Sequence, residues 1–134
     1  MMSFSPLSGI KILDLSRGPD PSPAVAILGR WGAELRLLPQ SRSLDLPDAR
    51  RLLLRCAQET DVLVSAGHAL DVALLHEYNP MLIVCTSPAE AAPWETTSAV
   101  LAALRERERS GLGQHVTLAP GTPPCFRSCD AFRL

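Results

Sequence analysis

Ile10-Lys11-Ile12-Leu13-Asp14-Leu15 runs into Ser16-Arg17-Gly18-Pro19. The first six residues are a short apolar run and the next four are turn formers, a pattern that predicts a buried strand stopped by a loop. Pro19, Pro21 and Pro23 hold off regular structure until Ser22 or Pro23 can open a helix. That helix is predicted over residues 24–31, with Ala24, Ile27, Leu28 and Trp31 on one face, and Gly32 closes it. Residues 34–38 then read as a second strand, stopped by Pro39. Strand, helix and strand in this order make a βαβ unit, whose two strands lie parallel.

The alternation continues. Residues 47–59 predict a helix with Leu52, Leu53, Cys56 and Ala57 as its apolar face, and residues 61–64 a third strand. Residues 69–78 predict a helix with Leu70, Ala73, Leu74 and Tyr78 inward and His76 at the surface. Residues 81–86 form a fourth strand, residues 96–109 the longest helix (Ala99, Val100, Ala103 and Leu104 inward), and residues 115–118 a short final strand. From Ala119 onward no period is visible. The expected fold class is α/β: a small three-layer Rossmann-like domain over residues 1–118. It has a mainly parallel, about five-stranded sheet covered on both faces by helices, followed by a tail over residues 119–134.

Composition narrows the function. A chain of 134 residues is one domain's worth, and 46% hydrophobic residues with 20% charged describe a folded chain. The net charge of −1 gives no electrostatic case for binding nucleic acid or an anionic membrane. No apolar run reaches the ~18 residues of a membrane span, and Met1 to Pro6 lack a signal peptide's basic start, so a cytoplasmic location is expected. The four cysteines, Cys56, Cys85, Cys125 and Cys129, are scattered; Cys56 and Cys85 sit in core-like segments, and no clustered ligand set predicts a metal.

On a sheet of this kind, ligands bind in loops at the carboxyl ends of the strands. Those loops cover residues 16–22, 39–43, 65–69 and 87–93. They supply the candidate site: Arg17, Gly18, Pro19, Arg42, Ser43, Gly67 and His68. Glycine at a strand end lets backbone N–H groups approach a phosphate, and a neighbouring guanidinium donates paired hydrogen bonds. On spacing alone, solvated loop arginines are the stronger reading of Arg17 and Arg42. No G-x-G-x-x-G follows the first strand and no G-x-x-x-x-G-K-[ST] occurs, which excludes a dinucleotide fingerprint and a P-loop. Gly111-Leu112-Gly113 reads as a turn. The run from Arg105 to Arg109 reads as a solvated helix end with i,i+3 pairs, and Asp14 as a group that orients backbone or a neighbouring loop.

The sequence also resembles a family. Residues 6–17, Pro-Leu-Ser-Gly-Ile-Lys-Ile-Leu-Asp-Leu-Ser-Arg, look like the opening of the class III CoA-transferases, the CaiB/BaiF family. Gly32-Ala33-Glu34 matches the end of their first helix, and Arg42-Ser43-Leu44-Asp45-Leu46 their K-R-S-x-x-L-D-L segment. Asp61-Val62-Leu63-Val64 resembles the strand before their E-N-F-x-P-G loop. Asn79-Pro80-Met81-Leu82-Ile83 resembles N-P-R-L-I, and Arg109-Ser110-Gly111-Leu112-Gly113-Gln114-His115-Val116 resembles R-T-G-x-G-Q-x-V. The departures are specific. The family's A-G-P falls on Asp20-Pro21-Ser22, and its E-N-F-x-P-G falls on residues 65–70. Its catalytic-aspartate segment has no counterpart, with Glu90 and Glu95 poor substitutes in a shortened loop, and the resemblance stops near residue 118, short of the family's second domain.

What the resemblance implies is a non-catalytic CoA-transferase-like subunit or domain. It would bind coenzyme A or an acyl-CoA, a CoA-handling partner, or both, as a homodimer or a hetero-complex. Two alternatives stand beside it: a CoA-transferase or acyl-CoA racemase component active only with its partner, and a structural or regulatory module that has lost CoA binding.

Overall fold

The computed structural model describes residues 5–15, 20–38, 47–66, 70–88, 91–119 and 121–129. The elements are β1 (Lys11–Leu15), α1 (Pro23–Arg30), β2 (Glu34–Leu37), α2 (Pro47–Gln58), β3 (Val62–Ser65), α3 (Val72–Tyr78), β4 (Ile83–Thr86), α4 (Pro93–Ser110), β5 (Gln114–Thr117) and β6 (Cys125–Ser128). The six strands form one sheet in the order β2-β1-β3-β4-β5-β6. The first five are parallel and β6 is antiparallel.

Alternation along the strands builds two cores. Ile12, Val62, Val64, Ile83, Cys85 and Val116 face one side, where they pack on Val25 and Leu28 of α1 and Ala99, Val100 and Ala103 of α4. Leu13, Leu15, Leu63 and Val84 face the other, against Leu53 and Ala57 of α2 and Leu75 of α3. Both faces of the central strands β1, β3 and β4 are therefore dry, which is why these strands read as near-continuous apolar runs. Burial pushes the Cys85 thiol up to about 12.

The helices differ from expectation in detail. α4 begins at Pro93, not residue 96. Leu52 and Tyr78, expected inward, are exposed. His76, expected at the surface, is buried, with its ring Nε2 2.9 Å from the Leu82 carbonyl. The short helix α3 starts at Val72, so its buried face falls on Leu75 and His76. The sequence also gave no sign of β6. It lies within the expected tail, is exposed at every residue, and pairs Phe126 with Val116 across the edge of the sheet.

The amino ends of the strands are tied together by a small set of polar residues. Asp61 Oδ2 accepts from the Lys11 N–H at 2.8 Å, and Asp61 Oδ1 pairs with Arg107 at 3.0 Å. Arg107 also donates to the Met81 carbonyl. The Arg/Glu run thus forms its expected outer pairs, Arg105–Glu108 and Arg109–Glu106, but turns Arg107 inward. Asn79 Nδ2 donates to the carbonyls of Ala57 and Thr60, both at 2.9 Å, and Asn79 Oδ1 accepts from the Met81 N–H. Gly111 ends α4 in the left-handed region (φ 75°), which the turn reading anticipated.

Gly113 is needed for a different reason: a Cβ there would collide with the backbone of Leu82, while its N–H donates to the Pro80 carbonyl. Gly113→Ala is expected to cost about 3 kcal/mol, an overpacking penalty against backbone that cannot retreat. Gly111→Ala, with open space around it, should cost only about 1 kcal/mol through its φ. Urea unfolding of the two variants measures the difference.

Candidate functional site

In the order β2-β1-β3-β4-β5, the chain turns to opposite sides of β1 for its first two crossovers, which makes the gap between β1 and β3 a topological switch point, the position at which open α/β sheets generally take ligands. A cleft of about 210 Å³ opens there. Asp14 near the end of β1, Val64 and Ala66 at the end of β3, and Ser87 after β4 form its floor. Ser22 and Ala24 at the start of α1 and Pro93 and Thr96 at the start of α4 form its walls.

Two helices thus begin at the cleft, each with proline in its first turn and neither with a side chain capping it. Their first-turn N–H groups carry partial positive charge toward this region. Asp14, 2% exposed, accepts from the Ser22 N–H at 2.8 Å and so fixes the chain's entry into α1. This is the orienting role its place in the strand suggested. Ser87 Oγ and Thr96 Oγ1 lie 2.6 Å apart and join the loop after β4 to α4. The Ser22 hydroxyl is buried and has no hydrogen-bond partner among the described residues.

The candidate residues Arg17, Gly18, Pro19, Arg42, Ser43, Gly67 and His68 all lie outside the described residues, as does Glu90. Of the candidate loops, the structure brings described residues of three to the cleft: Ser22, Ala66, and Ser87, Pro88, Ala91 and Pro93. Glu95 is exposed in the first turn of α4. Sequence reasoning found these loops but missed Ser22 and Thr96 as individual site residues, because a single hydroxyl carries no spacing signal. No cluster of three or more potential metal ligands occurs among the described residues, and none of the described helices is long and apolar enough to cross a membrane.

The solved structures settle what kind of sheet this is. Rv3272 of Mycobacterium tuberculosis superposes with a TM-score of 0.73 at 20% identity, over 87% of this chain and 56% of that one. A protein of Brucella suis described as a CAIB/BAIF family protein superposes with a TM-score of 0.66 at 17% identity, over 84% of this chain and 52% of that one. The fold is of the CaiB/BaiF type. At these identities the likeness is one of fold, and the chain spans about half the length of the proteins it matches. No family model and no curated protein matches the sequence.

The CaiB/BaiF-type landmarks that carried the sequence resemblance separate into two groups on this structure. Asp61, Asn79 and the two glycines of Arg-Ser-Gly-Leu-Gly-Gln-His-Val hold the amino end of the sheet, away from the cleft. At the cleft itself, Asp14 is the group whose loss should be felt first. Asp14→Ala leaves the Ser22 N–H without that acceptor and should lower stability by about 2 kcal/mol. Asp14→Asn keeps an acceptor oxygen and should lose less. Thermal unfolding of both variants checks this, and equal losses would show that the Ser22 contact is not what Asp14 supplies.

Proposed function

We propose that this chain is a non-catalytic CoA-transferase-like domain whose cleft at the β1/β3 switch point takes coenzyme A or an acyl-CoA, working with a CoA-handling partner or a second copy of itself. The observation that carries this reading is the buried, unpartnered Ser22 hydroxyl in a cleft faced by the uncapped starts of α1 and α4. Such donors suit the carbonyl and amide oxygens of a pantetheine thioester, and a lone buried hydroxyl gains by meeting a ligand. The CaiB/BaiF-type fold makes CoA the first ligand to try.

The cleft's size suits the acyl-pantetheine end rather than a whole CoA. The phosphates fall to Arg17 and Arg42, which follow β1 and β2 in the chain, with Gly18, Pro19, Ser43, Gly67 and His68 shaping the backbone around them. Asp14 is already engaged by the Ser22 N–H, which suits positioning and not covalent attack on an acyl group. Trp94 at the start of α4 and Phe126 on β6 are large exposed apolar groups, which favours a partner surface.

Calorimetry with CoA and acetyl-CoA tests the reading. Binding should be saturable, and Arg42→Ala should weaken it by about one to two orders of magnitude, the cost of a charged hydrogen bond. The isolated chain should transfer no acyl group between a thioester and a free acid. Absence of heat at millimolar CoA would discard the ligand and leave an interaction module. Acyl turnover by the purified chain would discard the non-catalytic assignment.

A further inference from the structure

On the other face of the sheet, α3 stops short of the edge, and β5 and β6 continue beyond it. His115 and Arg127 stand opposite each other across that antiparallel pair. With Val72, Ala73, His76 and Glu77 of α3 they line a cavity of about 520 Å³, larger than the cleft at the switch point and within the usual range of small-molecule sites.

The chemistry of this cavity is unbalanced. Arg127 forms no ion pair among the described residues, and neither does Glu77. The His76 ring is held in place: a carbonyl can only accept, so its Nε2 carries the hydrogen that reaches the Leu82 oxygen. His115 Nε2 lies 3.2 Å from the Thr86 hydroxyl. Three elements therefore bring one guanidinium and two imidazoles to one concave surface. The groups facing His115 are His76 and Glu77 from α3, the Thr86 hydroxyl from β4, and Arg127 from β6, which by strand alternation also places Cys125 on this side.

We propose that this cavity binds a small organic anion, with its carboxylate or phosphate group held by Arg127 and His115 and its apolar body resting on Val72 and Ala73. Arg127 supplies the paired donors that such groups accept. Glu77 selects against a second negative charge nearby. Burial, then the charge of His76, then that of Arg127 hold His115 below the ordinary histidine range. A bound anion reverses those two charge effects, so binding and protonation of His115 assist each other. The site lies on the opposite face from the CoA cleft and stands independently of it.

The test is an NMR titration of the histidine ring protons with butyrate and, separately, with ethyl phosphate. Saturable shifts at His115 are expected, with its titration midpoint moving up as ligand is added and binding tightening from about pH 8 to about pH 5.5. Arg127→Gln, at an exposed strand position, should weaken binding about tenfold or more. Glu77→Gln should strengthen it a few-fold. The better of the two probes assigns the ligand class. No saturable shift at millimolar concentrations of either probe, or shifts that persist unchanged in Arg127→Gln, would overturn the proposal. If Arg127→Gln fails to fold, the direction of the Glu77→Gln effect decides alone: a gain supports the site, and no change or a loss overturns it.

Discussion

Asp61 joins four elements at one point. Its N–H donates to the Lys11 carbonyl and its own carbonyl accepts from the Ile83 N–H, which sets β1, β3 and β4 side by side. Its carboxylate takes the Lys11 N–H on one oxygen and the Arg107 guanidinium on the other, which brings the last turns of α4 under the sheet. The ion pair is largely shielded, and each partner has further hydrogen bonds, the condition under which a buried pair holds position without leaving a bare charge. Once these strands are in register, each central strand shows an apolar side chain to both faces, and helices must cover both. The three layers follow from that requirement.

The sheet has two ends with different duties. At the amino end, side chains close on backbone: Asn79 ties α2 to the turn before β4, and Gly113 lets β5 start against Leu82. At the carboxyl end, the cleft retains a buried hydroxyl beside two helix starts. A family signature read from sequence therefore reports mainly on the end that makes the fold. It says much less about the carboxyl end, which is why the fold was more legible than the chemistry.

The same physics explains what the sequence disclosed. The central strands β1, β3 and β4 were legible because burial on both faces removes most polar residues from the run, whereas the largely exposed β2 was legible from its place between the stops Gly32 and Pro39. β6 was not legible, because four exposed residues at an edge need satisfy neither core. His76 was misplaced because a histidine bonded to a main-chain carbonyl looks like any surface histidine in sequence. Leu52 and Tyr78 were misplaced because α2 and α3 each bury a narrower stripe than their apolar content suggests. At the site, Asp14 was legible as an orienting group because a carboxylate inside a buried strand must hold something. Ser22 and Thr96 were not, since their roles come only from the meeting of two loops.

The ties at the amino end also set the order in which the molecule can assemble. Lys11 and Asp61 are 50 residues apart in the chain, and Asp61 and Arg107 are 46 apart. Neither contact is rewarded until long loops have closed, an entropic toll that grows slowly with length but falls due before any strand of the centre is paired. Folding should therefore be slower than that of a helical bundle of the same size, whose contacts are local. β6, joined to β5 by seven residues and exposed along its length, pairs only with its sequence neighbour and is free of that constraint. It can open and close on an otherwise intact sheet, so its amide hydrogens should exchange with solvent ahead of those of the central strands.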